Sequence, residues 1–209
     1  MSLYGRLFAR FYDRALAGME QAGLAARRAS LLAGARGRVL ELGAGTGLNL
    51  AHYPAGLEQL VLTDPEQPML ARLRERAAAL RPRASIVQAP AERLPFADAS
   101  FDTVVATLAL CTVADLPQAL REVRRVLVPG GRLLFLEHVR SRDERRARWQ
   151  DRLQPLQERV GHGCHCNRAT LAAIEAAAFA VTEVEHGRLE RAPRIIEPLI
   201  TGIAVRPPS

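Results

Sequence analysis

Residues 161–168 read GHGCHCNR, placing two histidines and two cysteines within eight positions. Cysteine and histidine are the side chains zinc prefers, and His138 and His186 could complete such a set. The spacing argues against it. Cys164, His165 and Cys166 are adjacent and would project alternately from extended backbone, whereas structural zinc sites favour Cys-Xaa-Xaa-Cys pairs. A disulfide between Cys164 and Cys166 would close over one residue and be strained. Neither a bound metal nor a redox pair is expected.

A second stretch, VLELGAGTG (39–47), carries Gly43, Gly45 and Gly47 on what reads as a turn into a helix. Glycines there let backbone approach a ligand closely, while the helix N-terminus would offer free N–H groups and a positive dipole end. A dinucleotide fingerprint needs its third glycine at position 48, where the chain has Leu48; the pattern is GxGxG. Glu41, just ahead of the first glycine, opposes a docking diphosphate but suits a ligand with positive charge. S-adenosylmethionine, with its sulfonium and amino groups, is such a ligand. Asp64 follows about twenty residues on, where a carboxylate can accept hydrogen bonds from ribose hydroxyls. Its neighbour Pro65 makes a helix-capping role for Asp64 the alternative.

Positioning these residues requires alternating strands and helices. Short apolar runs at 38–43, 59–64, 84–89, 101–110, 131–139, 179–187 and 199–206 read as strands, with helical patterns at 66–80, 115–127 and 168–178. Valine-, leucine- and isoleucine-rich strands separated by helices imply a parallel sheet covered on both faces. No helix fits between the last two strands, so the seventh is expected antiparallel to its neighbour. The fold class is therefore α/β, a doubly wound, mostly parallel, seven-stranded Rossmann-like sheet. The 209 residues suit one domain.

Composition narrows the function. The net charge of +7 would suit a polyanion partner, but every basic residue other than histidine is arginine and no lysine occurs. The densest cluster, RSRDERRARW (140–149), is interrupted by acids, as a solvated helix face would be. No aromatic-interleaved basic platform is present, and nucleic acid is not expected as a partner. No apolar segment is long enough to span a membrane and no secretory leader is visible, so a cytoplasmic protein with reduced thiols is expected. Peripheral membrane contact stays open, and no motif specifies an oligomeric state.

Taken in order, LELGAGTGLNLAHYPAG, TDPEQPM, VVATLALCTV, REVRRVLVPGGRLLFLEHV, GCHCNRATLAAIEAAAFA and IEPLITGIAVR resemble a class I S-adenosylmethionine-dependent methyltransferase over nearly the whole chain. The group includes quinone C-methyltransferases and phospholipid N-methyltransferases; the likeness is greatest to alkyl thiol methyltransferases. Two positions depart from the pattern. Many members carry an aspartate after the third strand for the adenine amino group, where this chain has Pro90, so adenine recognition would pass to Ala91 and Glu92. The thiol enzymes have a histidine where this chain has Leu199.

The resemblance implies S-adenosylmethionine as cofactor, S-adenosylhomocysteine as product and a small, fairly apolar acceptor, with a thiol favoured. A quinol- or phospholipid-type C-, O- or N-methyltransferase is the alternative, as is a non-catalytic cofactor-binding regulatory module. Cofactor contacts are expected from Tyr12, Glu41, Gly43, Gly45, Gly47, Asp64, Pro65, Ala91, Glu92, Thr107 and Leu108. Residues 1–34 would form a helical cover and 140–168 a lid over the acceptor site. The lid's Trp149, Leu153, Leu156 and Val160 recur at helical spacing as an apolar stripe broken by Pro155, suited to core packing or pocket lining. Cys111, Trp149, His162, Cys164, His165 and Arg168 are the expected substrate contacts. His138, closing the fifth strand, is the candidate base or acceptor-orienting group, unless its ring merely bonds a neighbour.

Overall fold

The computed structural model describes residues 3–78, 84–161 and 163–208. Seven strands form one sheet: β1 (Arg38–Leu42), β2 (Gln59–Asp64), β3 (Ser85–Gln88), β4 (Phe101–Thr107), β5 (Leu127–His138), β6 (Ala180–Arg188) and β7 (Pro198–Val205). Their order is β3-β2-β1-β4-β5-β7-β6. β1 to β5 pair in parallel, and β7 runs antiparallel between β5 and β6, with His138 opposite Leu199.

Among the described residues six α-helices accompany them: α1 (Leu3–Met19), α2 (Ala25–Leu32), α3 (Gln67–Ala77), α4 (Leu116–Val126), α5 (Glu144–Val160) and α6 (Thr170–Ala176). α4 shows why such segments are helical. Asp115 accepts the Gln118 N–H as its cap, Pro117 sits in the first turn, and Leu116, Ala119, Leu120, Val123 and Val126 make one buried stripe. Alternate strand residues then supply two cores. Leu40, Leu42, Val104 and Phe135 pack with α4 and α6 on one face; Val39, Leu62, Val105 and Leu134 pack with α2 and α3 on the other.

Strand order reverses between β1 and β4, the crevice where open α/β sheets bind ligands. One expectation fails here. No α-helix follows the glycine loop; β1 leads through turns to a single 3-10 turn, Leu50–His52. Three glycines in left-handed conformation and Pro54 leave no run long enough for a helix, and Asn49 is held by side-chain bonds to Glu41 and Thr107. No helix N-terminus stands behind the loop.

α5 brings the second difference. Pro155 lies inside the helix without breaking it; it is exposed, so the Asp151 carbonyl it leaves unbonded faces water. The helix also sits with its apolar stripe outward: Trp149, Leu156 and Val160 are 57%, 61% and 64% exposed. Glutamines face inward instead. Gln150 is fully buried, the two protons of its amide shared among the carbonyls of Val139, Cys166 and Ile195 while its oxygen accepts the Ser141 N–H. Three loops at this end of the sheet leave carbonyls that no ladder bonds, and a glutamine face satisfies them where an apolar face would not.

Candidate active site

A cavity of about 360 Å³ opens beyond the carboxyl ends of β1, β2, β4 and β5. Its floor is the glycine loop. Gly43 has φ +57°, and a Cβ there would lie 2.8 Å from that of Ala109; Gly47 has φ +86°, and a Cβ would lie 2.7 Å from the Leu50 and Leu73 side chains. Only glycine fits both positions. Asp64, at the end of β2, holds the loop in place: its carboxylate accepts the Gly45 N–H at 2.9 Å and the Glu66 N–H at 2.8 Å. Asp64, Pro65, Glu66 and Met69 continue the wall.

Behind the loop lies a smaller recess whose polar groups form one buried network. Arg28, from α2, bonds Glu20, Asn49 and Thr107. Asn49 and Tyr53 both donate to the Glu41 carboxylate, at 2.9 and 2.7 Å. Burial raises the Glu41 pKa, while Tyr53, Asn49 and the charge of Arg28 pull it down. Sequence reasoning missed Arg28: within AARRAS it has the pattern of a solvated arginine, and only the fold turns it inward. Tyr12 stands between recess and cavity, its hydroxyl pushed up to about 12 by burial, and thus neutral.

The opposite side of the cavity is apolar and carries sulfur. Cys111 follows β4 and Cys164 follows α5, and their Sγ atoms stand 3.7 Å apart. The neighbouring Cys164 and burial push the Cys111 thiol well above its ordinary pKa, and burial carries Cys166 up to about 12. Neither is a ready nucleophile. His138 lines the same cavity, and burial lowers its ring to about 4. The ring meets the Ile196 backbone, and its Nδ1 has no partner among the described residues. His138 is therefore a neutral imidazole with one buried, unbonded nitrogen at physiological pH.

Two residues shape this wall from behind. Glu137, fully buried on β5, accepts the N–H groups of Ala109, Leu110 and Cys111; burial still pushes it up to about 7. Arg168 donates to the carbonyls of Leu110 and Val113. Together they clamp the loop after β4, where Leu108 takes φ 55°, a conformation rare outside glycine.

The expected site residues thus divide. Tyr12, Gly43, Gly45, Asp64, Pro65, Leu108, Cys111, His138 and Cys164 line the cavity, and Glu41 and Thr107 line the recess. Gly47 shapes the loop from behind. Ala91 is outside the cavity wall, and the Glu92 carboxylate is committed to the N–H groups of Ala114 and Asp115 ahead of α4. Arg168 works as the clamp rather than as a lining residue. The His165 ring is bonded by Gln154, and Trp149 faces away on the outer side of α5. The glutamine face explains both, since it draws His165 to α5 and turns Trp149 out. His162 lies outside the described residues. Among the described residues no group of three or more His, Cys, Asp or Glu could hold a metal.

A doubly wound sheet with a left-handed glycine loop at its switch point, closed by a carboxylate on the next strand, defines a Rossmann-like nucleoside-binding protein. Comparison with known proteins sharpens that class. The family described as "Methyltransferase domain" matches residues 40–135. The chain is 38% identical to the thiol S-methyltransferase TMT1B of Rattus norvegicus over 151 residues, covering 70% of this chain and 62% of that one. It is 34% identical to the human thiol S-methyltransferase TMT1A over 173 residues, covering 80% and 70%. In three dimensions it matches an S-adenosylmethionine-dependent methyltransferase from Mesorhizobium loti with TM-score 0.64 at 22% identity, covering 88% and 98%. The chain belongs to the class I S-adenosylmethionine-dependent methyltransferase family. It spans less than two thirds of the rat relative.

The family's cofactor suits the residues present. Gly43 and Gly45 have no side chain where they line the cavity, so loop backbone lies open to a ligand there, and the Asp64 carboxylate borders the same wall. The small recess behind it holds a buried cation, Arg28, and a buried carboxylate, Glu41, each bonded to protein partners.

Proposed function

We propose that this protein transfers the methyl group of S-adenosylmethionine to a small, apolar thiol. The names of its relatives support the thiol, and the observation that carries the reading is His138: a buried, neutral ring that lines an apolar cavity shared with the glycine loop and whose Nδ1 has no partner among the described residues. Asp64 would hold the ribose, Pro65 and Met69 would flank the base, and Tyr12, Thr107 and Leu108 would border the methionine end. The bound cofactor supplies an electrophilic methyl on a sulfonium, which an aligned thiolate can displace.

The chain's own residues supply alignment and dryness. Ala15 and Leu16 of α1, with Ile196, Cys111 and Cys164, enclose the acceptor side in apolar surface and exclude water. α1 and α2 serve as a cover, and the segment 140–168 serves as the lid. A ring with pKa about 4 holds protons too weakly to remove one from a thiol of ordinary pKa ~8.5. His138 instead accepts a hydrogen bond from the S–H of the incoming thiol and orients its sulfur; the thiol then gives its proton to bulk water, and the resulting thiolate takes the methyl. We place the protein in the cytoplasm, where reducing conditions keep its three cysteines as free thiols.

The test is methyl transfer from labelled S-adenosylmethionine to a panel of hydrophobic thiols, a quinol and a phospholipid. Thiols should react in the wild type. Asp64→Ala should weaken cofactor affinity by on the order of a hundredfold, since it removes the acceptor for two loop N–H groups. His138→Ala should slow the reaction about tenfold without moving its pH profile. Methylation of the quinol or phospholipid alone would overturn the thiol assignment, and cofactor binding without any turnover would make the chain a binding module.

A further inference from the structure

We propose that the outer face of α5 docks on an anionic lipid bilayer. Trp149, Leu156 and Val160 are among the most exposed large apolar side chains described, at 57%, 61% and 64%. With Leu153 they occupy one stripe about 60° wide on a helix of 3.6 residues per turn. The inner face cannot absorb that stripe, because Gln150 and Gln154 are bonded to the loops beneath. The exposure is therefore a fixed property of the helix.

The flanking charge indicates what covers it. Arg145, Arg148, Arg152 and Arg159 fall along one edge of the stripe, while Glu144, Asp151 and Glu158 fall beyond them toward the back. Arg145, Arg148 and Arg152 form no ion pair among the described residues, whereas Asp151 is engaged by Arg140 and Asn167. Arg152 stands 5.9 Å over the Trp149 ring. An apolar stripe with tryptophan and leucine beside a row of arginines is the pattern of a helix lying in a membrane interface, apolar face down and cations among phosphate headgroups. A second copy fits worse, because antiparallel pairing of α5 with itself would set the arginine rows against each other.

The placement has a consequence for substrate delivery. Gln157 and Gly161, at the end of the same helix, line the cavity. Docking by α5 would set the cavity beside the bilayer, where apolar acceptors accumulate. The docking itself does not depend on which acceptor is methylated.

Trp149 is the only tryptophan in the chain and reports directly on the proposal. The full chain should sediment with vesicles of phosphatidylcholine plus phosphatidylserine, its emission should shift to the blue, and added salt should reverse both. Arg148→Gln with Arg152→Gln should weaken binding roughly 25-fold, about fivefold per arginine. Leu156→Gln should weaken it about tenfold and keep the probe. These side chains are exposed, so cofactor affinity should be unchanged in each variant, which separates lost docking from lost folding. Absence of sedimentation and shift overturns the proposal. So does equal binding to pure phosphatidylcholine, or a shift that follows protein concentration without lipid and accompanies a doubling of mass.

Discussion

On the β1–β2 side of the cavity, the wall is backbone at close quarters: left-handed glycines pinned by one buried carboxylate, Asp64, over an apolar core. On the α5 side, the wall is a helix whose buried face is built from glutamine and whose outer face carries tryptophan, leucine and valine. The first side is ordered by local conformational limits, since only glycine tolerates its angles and spacing. The second is ordered by the needs of other segments, the loops at 139, 166 and 195, whose carbonyls have no strand partner.

That contrast predicts where the largest damage lies. Gln150→Leu keeps the volume but leaves three carbonyls and the Ser141 N–H without a bond in a buried site. We expect a loss of about 3–5 kcal/mol, lowering Tm by roughly 10 °C in a domain of this size. Thermal unfolding checks it. A loss below about 1 kcal/mol would mean that the loops do not depend on α5, and the two walls would then differ in composition rather than in principle.

The next effect is smaller and depends on pH. Burial holds His138 at about 4, below its ordinary 6.5, so the unfolded chain takes up this proton first as pH falls. Its contribution to stability is complete above 6.5 and is lost on going down toward 4, by about 3 kcal/mol. Burial holds Glu137 at about 7, above its ordinary 4.5, so its contribution is complete below 4.5 and is lost on rising through 7, by a similar amount. Between 4.5 and 6.5 the two slopes oppose each other. Measured as differences from wild type in urea midpoints, Glu137→Gln should gain stability with rising pH, and His138→Asn should lose it. Parallel slopes in the two variants would show that the pair does not titrate as its burial implies.

How legible each side was follows from the same contrast. The strands, the antiparallel β7, the glycine loop and Asp64 were readable because hydrophobic runs and glycine spacing are local signals. The helix expected after the loop was not formed, because several left-handed glycines and a proline within a dozen residues outweigh moderate helical propensity. Arg28 was invisible, since nothing in AARRAS distinguishes an arginine that caps a buried network from one in water. For α5 the apolar period was real, but its direction could not be read. Periodicity says that one face is apolar and leaves open which face meets the protein, and three unbonded carbonyls decided that against the usual rule.

The smallest predicted effect is the sharpest test of that reversal. Leu156→Ser removes a large apolar side chain from a helix, which in a packed interior would cost about 2–5 kcal/mol. Here Leu156 is 61% exposed on the outer face, and the substitution should change stability by no more than about 0.5 kcal/mol. Urea unfolding without lipid measures it. A loss of several kcal/mol would return the stripe to the interior and make α5 an ordinary amphipathic helix. Near-neutrality beside a large loss in Gln150→Leu would show a helix held to its protein by polar bonds, with its apolar face left for another surface.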